Sequence, residues 1–437
     1  MRILVTLIAL ALCAPAWAAP PSLQDGDLLG RDNWEAAQGL LPDDILTHYK
    51  RGEYGNRILV LDRPGQRRLE NPPDFRQASD ANRGRYALTP AGTIIERASG
   101  TQPAFVTGLP FPDIDPADAQ AGTKIVWNYF YAMWYRGDYH FLTELVMLGR
   151  GGVERRIATD VRQRMYDGAP EARTRPNPDN LFLQNIARVE GPADLAGTLS
   201  LTWRSRQPDR QDSYWTYVPG LRRARQVSPL NRSDGFLGSD ISIDDGPFFD
   251  GKVENFTFRL VGRQDQLVLV DPYTIRGEVE MIPVTAGGGW RTVWKPVPRI
   301  GADDPHWKGL PWAPVSAVLA RRPVWVVEAV ARDPKYLFGR IVLRFDTETY
   351  FGSWASKYDR AGSLLISYQV SMGPFSSPDG RTWIAAGGIA VQTAESPVYQ
   401  RATAILFPPR NPENPADWRV QSAPDQFDLD ELVKQGR

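Results

Sequence analysis

Two adjacent charge blocks stand out among the residues able to do chemistry. Ser200 to Arg232 carries seven arginines (204, 206, 210, 222, 223, 225, 232) against Asp209 and Asp212, a net charge of +5. Ser233 to Asn255 carries Asp234, Asp240, Asp244, Asp245, Asp250 and Glu254 against Lys252, a net of −5. Guanidinium and carboxylate pair bidentately, so blocks this close can fold onto one another as a hydrogen-bonded network. The other use of such a block is recognition of an anionic headgroup or a partner. The candidate network is Arg222, Arg223, Arg225, Arg232, Asp234, Asp240, Asp250 and Lys252. It reads as mostly structural, beside a cavity mouth. Pro219-Gly220 turns the chain, so Arg223 and Arg225 share one face of the return strand and Arg222 points to the other. On that reading Arg223→Ala and Asp234→Ala each lower the melting temperature, and together they cost less than their sum.

Other patterns stop short of a mechanism. Gly246 to Lys252 begins like a phosphate loop, but Val253 stands where a hydroxyl is needed and Pro247 removes an amide donor. Asp240 to Gly246 resembles a calcium loop with its glycine one place late, and the twelfth position is Gly251 where glutamate belongs. An Asx-rich turn explains it better. His48, His140 and His306 fall in no metal-ligand spacing, and no Gly-x-Ser-x-Gly elbow is present. No catalytic residue, cofactor or metal ligand is assigned. The lining of any apolar-ligand site stays unassigned too.

The elements that must position these residues read as mainly β with some α. Of 437 residues, 51 are basic and 51 acidic, which removes a nucleic-acid partner. The 37 Pro and 38 Gly call for many turns. Arg2, an apolar run to Leu12 and Ala16-Trp-Ala18 describe a secretory signal over 1–18, leaving a mature chain of 19–437 without cysteine. Lipidation at Cys13 is the alternative, with bulky Leu12 against it. The N-terminal part, about 19–150, mixes short elements. Asp32-Asn33 caps a helix through Trp34 and Ala37, Ile58 to Leu61 is a strand, and Asp115-Pro116 starts a helix carrying Ile125, Tyr129 and Met133. From about 197 to 407 apolar and polar residues alternate, as in Leu199, Leu201 and Trp203 against Ser200, Thr202 and Arg204. That is an antiparallel meander. The Pro- and Trp-rich stretch Trp290 to Pro323 breaks this rhythm and reads as a structured loop crossing one sheet face. The competing picture splits two domains near Pro296–Pro314.

Asp212 to Arg225, with Trp215, Tyr217 and Pro219, runs through Asn231-Arg232-Ser233-Asp234-Gly235 to Asp250-Gly251-Lys252. With Gly108-Leu-Pro-Phe-Pro112, Gly122-Thr-Lys124-Ile-Val-Trp-Asn128 and Val324-Trp-Val-Val-Glu328, this resembles a bacterial envelope family, domain of unknown function 1329, whose relatives are LolA-like lipoprotein carriers. The resemblance implies a large curved antiparallel sheet, an open half-barrel with helices on its concave face. It also implies a periplasmic carrier of a lipid, lipoprotein or other apolar ligand. The implied partner is an inner-membrane transporter of the resistance–nodulation–division type, and peripheral outer-membrane association stays open. The alternatives are a non-transporting assembly or docking factor and a glycan- or lipid-modifying enzyme.

Overall fold

The computed structural model describes residues 23–228, 231–284, 288–294, 297, 299–378, 383–407, 416–430 and 434. Residues 1–18, read above as a secretory signal, with Cys13, Pro296 and Pro298, lie outside the described residues.

Alternating sequence makes strands, and among the described residues thirteen of them form the main run of one sixteen-stranded sheet. They are β1 (Tyr139–Gly149), β2 (Gly152–Met165), β3 (Leu181–Gly191), β4 (Leu199–Ser205), β5 (Ser213–Val218) and β6 (Arg223–Val227). Then come β7 (Phe256–Val270), β8 (Val318–Ala331), β9 (Arg340–Asp346) and β10 (Gly352–Tyr358). β11 (Leu364–Ser376), β12 (Trp383–Ser396) and β13 (Arg401–Phe407) complete it. Neighbours run β6-β5-β4-β3-β2-β1-β13-β12-β11-β10-β9-β8-β7, every pair antiparallel. The sheet curls until β7 meets β11 through one parallel pair, Val270 with Met372. It does not close into a barrel, because β6 remains an outer edge.

Period-two alternation sends β7 residues Val268 and Val270 into one core and Leu267 and Leu269 into another on the opposite face. Helix α3 (Ala121–Trp134) fills the first. Twelve of its 14 residues are buried, so it is apolar all round, and the stripe of Ile125, Tyr129 and Met133 is only part of what it buries. Helix α2 (Pro73–Ala81) contributes Phe75 to the same core. Helix α1 (Asp43–Arg51) belongs to the second core, with Trp312, Trp354 and Trp418. The curved sheet therefore carries α2 and α3 on one face and α1 on the other.

Several local expectations change. Asp115 takes the Ala117 amide in a turn (2.9 Å), and α3 starts five residues beyond Pro116, at Ala121. Ile58–Leu61 is not a strand; the two-residue strand is Asn56–Arg57, and Ile58 only bridges Leu319. Trp34–Ala37 forms a 3-10 turn. The Trp290 stretch begins as a strand, Trp290–Val293, paired with Glu280–Pro283 and Ala416–Trp418. Its Trp312 is buried and donates to Glu395 (2.9 Å). β7 and β8, on either side of that stretch, pair from Phe256–Ala331 to Val270–Val318.

α3 approaches β7 closely at one point. A Cβ on Gly122 would lie 2.9 Å from the Phe258 carbonyl carbon and oxygen. Backbone cannot yield as a flexible side chain can. Gly122→Ala is expected to push the N-terminal end of α3 off the sheet and destabilise by about 1–3 kcal/mol, the usual cost of overpacking. Urea denaturation checks it; an unchanged midpoint would show that the helix shifts freely.

α1 is tied to the sheet through a buried histidine. His48 Nδ1 meets Glu53 at 2.8 Å, Nε2 meets Glu395 at 3.0 Å, and the ring stacks on Tyr54. Burial alone lowers the imidazole pKa, but Glu395 and then Glu53 outweigh it, so the group lies above its ordinary 6.5. A raised folded-state value means the contribution is fully present below pH 6.5 and fades as pH rises through that higher value. The stability gap between wild type and His48→Gln is therefore expected to narrow from acid to alkaline pH in urea melts. A gap independent of pH would mean that only packing holds the site.

Candidate functional site: a cavity on the concave face

β1 to β5 present one face to α3 across a gap. Along each strand every second residue faces it: Phe141, Thr143 and Leu145 on β1, Thr159, Val161 and Gln163 on β2. β3 adds Leu183, Asn185 and Ala187, and β4 adds Ser200 and Thr202. The register lines these residues up in rows across the sheet. Phe141 pairs with Val161, Val161 with Ala187, Ala187 with Ser200, and Ser200 with Thr216. Tyr129, Phe130, Met133 and Trp134 of α3 form the opposite wall, and the 231–255 loop closes over with Phe236, Ile241, Ile243 and Pro247. The space enclosed is about 250 Å³. A second cavity of about 250 Å³ abuts it toward the sheet edge, sharing Ala187, Ser200, Tyr214, Phe236 and Ile243.

The charge blocks hold that loop in place. Arg204 Nε donates to Asp212 (3.0 Å) and its Nη1 to Asp250 (2.6 Å). Arg232 Nε donates to Asp244 (2.5 Å) and its Nη2 to the Asp250 carbonyl (3.1 Å). Arg204, Arg232, Asp212 and Asp244 are buried. Burial would raise the Asp212 carboxyl, but Arg204, Arg232 and Lys252 hold it below the usual range. At Asp250 burial wins over the same arginines and pushes the carboxyl up to about 6. Two further acids of the block reach basic groups far along the chain. Asp240 takes Arg401 Nε (2.9 Å), and Asp245 takes Lys357 while closing a capping box with Ser242. The stretch that resembled a calcium loop thus spends its carboxylates on Arg232, Lys357 and Arg401. Lys252 donates to the carbonyls of Ser205, Gln207 and Arg210 (3.1, 2.7 and 2.8 Å), which is backbone clamping.

The expected network is thus divided. Arg232, Asp250 and Lys252 come together, joined by Arg204, Asp212 and Asp244. Asp240 pairs separately with Arg401. Arg222, Arg223, Arg225 and Asp234 are exposed and form no ion pair with any described residue. Arg222 sits in the turn in left-handed backbone (φ 47°), so the alternation rule does not apply to it. The acids selected the inward-facing arginines of β4 and the loop, because an edge strand facing water offers no desolvated partner. Arg223→Ala is accordingly expected to change stability by less than about 1 kcal/mol, as for exposed charges, where the charge pattern alone predicts a clear loss. Thermal melts of the single variant decide between the two.

The cavity wall itself was not legible as a site. β1 to β3 precede the stretch read as alternating, and their cavity face mixes Thr143, Thr159, Gln163 and Asn185 with Phe and Leu. The available signal was an i, i+2 row, Thr159, Val161 and Gln163, in which a hydroxyl and an amide flank an apolar residue. Among the described residues no group of three or more His, Cys, Asp or Glu could hold a metal ion. His140 is bonded to Asp160 (2.8 Å), and His306 is exposed. No helix among them is long and apolar enough to cross a membrane.

Two of the sequence blocks quoted above meet under α3. Asn128 donates to the Phe111 carbonyl (2.7 Å) and accepts its amide (3.0 Å), joining the Gly108 block to the Gly122 block. The family profile of the protein of unknown function DUF1329 matches residues 30–291, which hold these blocks, the Arg/Asp network and most of the cavity. The chain belongs to the DUF1329 family. The Val324 block falls outside the matched residues. None of the curated proteins matches this DUF1329 chain. Among solved structures it is similar to a domain from Vibrio parahaemolyticus described as outer membrane lipoprotein-sorting (15% identity, 72% of this chain and 100% of that one, TM-score 0.46). It is also similar to a DUF1329 family protein from Desulfovibrio piger (15% identity, 73% and 99%, TM-score 0.45). A LolA superfamily protein from Nitrosomonas europaea follows (10% identity, 71% and 98%, TM-score 0.41).

Proposed function

We propose that this DUF1329 protein carries an apolar, acyl-chain-bearing ligand in the cavity between α3 and the concave face of β1 to β5. The observation that carries the reading is the cavity: about 250 Å³, with Phe, Trp, Leu, Ile and Val side chains on the helix, sheet and loop sides. That exceeds the roughly 150 Å³ apolar cavity that suffices for benzene. Each buried methylene contributes about 0.8 kcal/mol, so a chain of about eight carbons gives binding of the order of tens of micromolar. Threonine, glutamine and asparagine on the floor leave room for ester or hydroxyl groups.

The carrier reading is preferred to an assembly or docking factor because most acids of the charge blocks, Asp212, Asp240, Asp244, Asp245 and Asp250, are engaged within the fold at Arg204, Arg232, Arg401 and Lys357. It is preferred to an enzyme because Asp250, the carboxylate of the cavity wall, is held by Arg204. On this proposal the carrier works in the periplasm, in keeping with the secretory pattern read over residues 1–18, and an inner-membrane transporter loads it. Native mass spectrometry of gently purified protein tests the proposal. A reproducible non-covalent mass with lipid fragmentation supports it; bare protein that also fails to take up a neutral fluorophore such as 1-N-phenylnaphthylamine refutes it.

A further inference from the structure

One of the rows that line the cavity does not end at the cavity. From Phe141, Val161, Ala187 and Ser200 it continues to Thr216 on β5 and then to Arg225 on β6. The neighbouring cross-strand pairs are Tyr214 with Val227 and Val218 with Arg223. Val227 lines the outer cavity, so alternation along β6 puts Arg225 and Arg223 on the same face as Val227. The floor thus leads out past Ser200 and Thr216, at the β6 edge of the sheet, to two exposed guanidinium groups. Neither is matched by a carboxylate among the described residues, although the arginines of the buried network all are. Asp234 borders the outer cavity from the loop side. The mouth therefore carries two cations on the strand against one anion on the loop. A hydrocarbon needs no charge at its doorway, whereas an amphiphile with an acidic headgroup does.

Resting on the carrier reading, we infer that the ligand is an anionic amphiphile whose phosphate, sulfate or carboxylate headgroup is bound by Arg223 and Arg225 while its chain lies in the cavity. Guanidinium presents paired donors to such oxyanions, and an exposed site at the end of an apolar channel gives them a fixed distance from the chain.

The test displaces 1-N-phenylnaphthylamine from the full chain with dodecyl phosphate and with dodecyl maltoside, both below their micelle concentrations. Wild type is expected to prefer the phosphate by about tenfold, the scale of one charge-assisted contact at a partly exposed site. In Arg223→Gln/Arg225→Gln that preference is expected to disappear, the loss being confined to the phosphate, and in Asp234→Asn it is expected to grow. A preference that persists in the double variant, or is absent from wild type, overturns the inference. If the double variant keeps the preference but loses cosedimentation with phosphatidylglycerol vesicles, the arginines serve a bilayer surface and the inference is likewise overturned. Failure of the fluorophore to bind wild type at all is a different result, and it removes the carrier reading itself.

Discussion

Arg232→Ala should destabilise the protein by about 3–5 kcal/mol in chemical denaturation, the cost of removing one member of a buried ion set. Arg232 is 5% exposed and lies among Asp244 (2.5 Å), Asp250 (3.6 Å) and Asp212 (3.9 Å). Removing it leaves three carboxylates sharing Arg204 and Lys252, two of them, Asp212 and Asp244, buried where water cannot solvate them. One carboxylate would then have to take up a proton, so the loss should grow as pH rises above 6. Asp244→Ala costs less, because Arg232 retains Asp250 and Asp212. The two changes together should cost less than their sum, since each removes the burden left by the other. A loss under about 1 kcal/mol for Arg232→Ala would place the residue with ordinary surface pairs. Loosening of the loop also predicts faster proteolysis between 231 and 255, which separates a local from a global effect.

The second large effect is on ligand uptake. Ala187→Trp puts an indole where the two cavities share a wall. Ala187 is half-buried, points into open space and sits between Val161 and Ser200 in the row, so the ring can enter the cavity without displacing backbone. Affinity for 1-N-phenylnaphthylamine is expected to fall at least about tenfold, equivalent to about 1.4 kcal/mol. The melting temperature should hold or rise, because filling an apolar cavity restores dispersion contacts. Equal fluorophore affinity in the variant would put the ligand elsewhere on the molecule.

Part of this was readable without coordinates. Leu199, Leu201 and Trp203 alternate because one face of β4 packs into an apolar cluster while the other meets the cavity and the ion network, and a period of two survives in any strand so placed. The blocks Gly108–Pro112 and Gly122–Asn128 hold glycines where a helix and a neighbouring backbone come close: Gly108 has φ 77° and no room for a Cβ beside Ser79 of α2, and Gly122 of α3 has none beside Phe258 of β7. Opposite charges stand in adjacent blocks of the sequence, and in the fold Arg232 of one block meets Asp244 and Asp250 of the other.

What only the tertiary structure decided is which charges were meant for each other and where the ligand space lies. Ion pairs form between side chains that share a desolvated volume, whatever their separation along the chain. Asp240 therefore found Arg401, Asp245 found Lys357, and Arg223 and Arg225 at the sheet edge were left to the solvent. The cavity escaped for a related reason. A wall that faces empty or ligand-filled space is not selected for close packing, so Thr143, Thr159 and Asn185 blur the alternation that a protein core would have kept sharp. Local sequence determined the strands; their curvature, bringing five of them around α3, made the site.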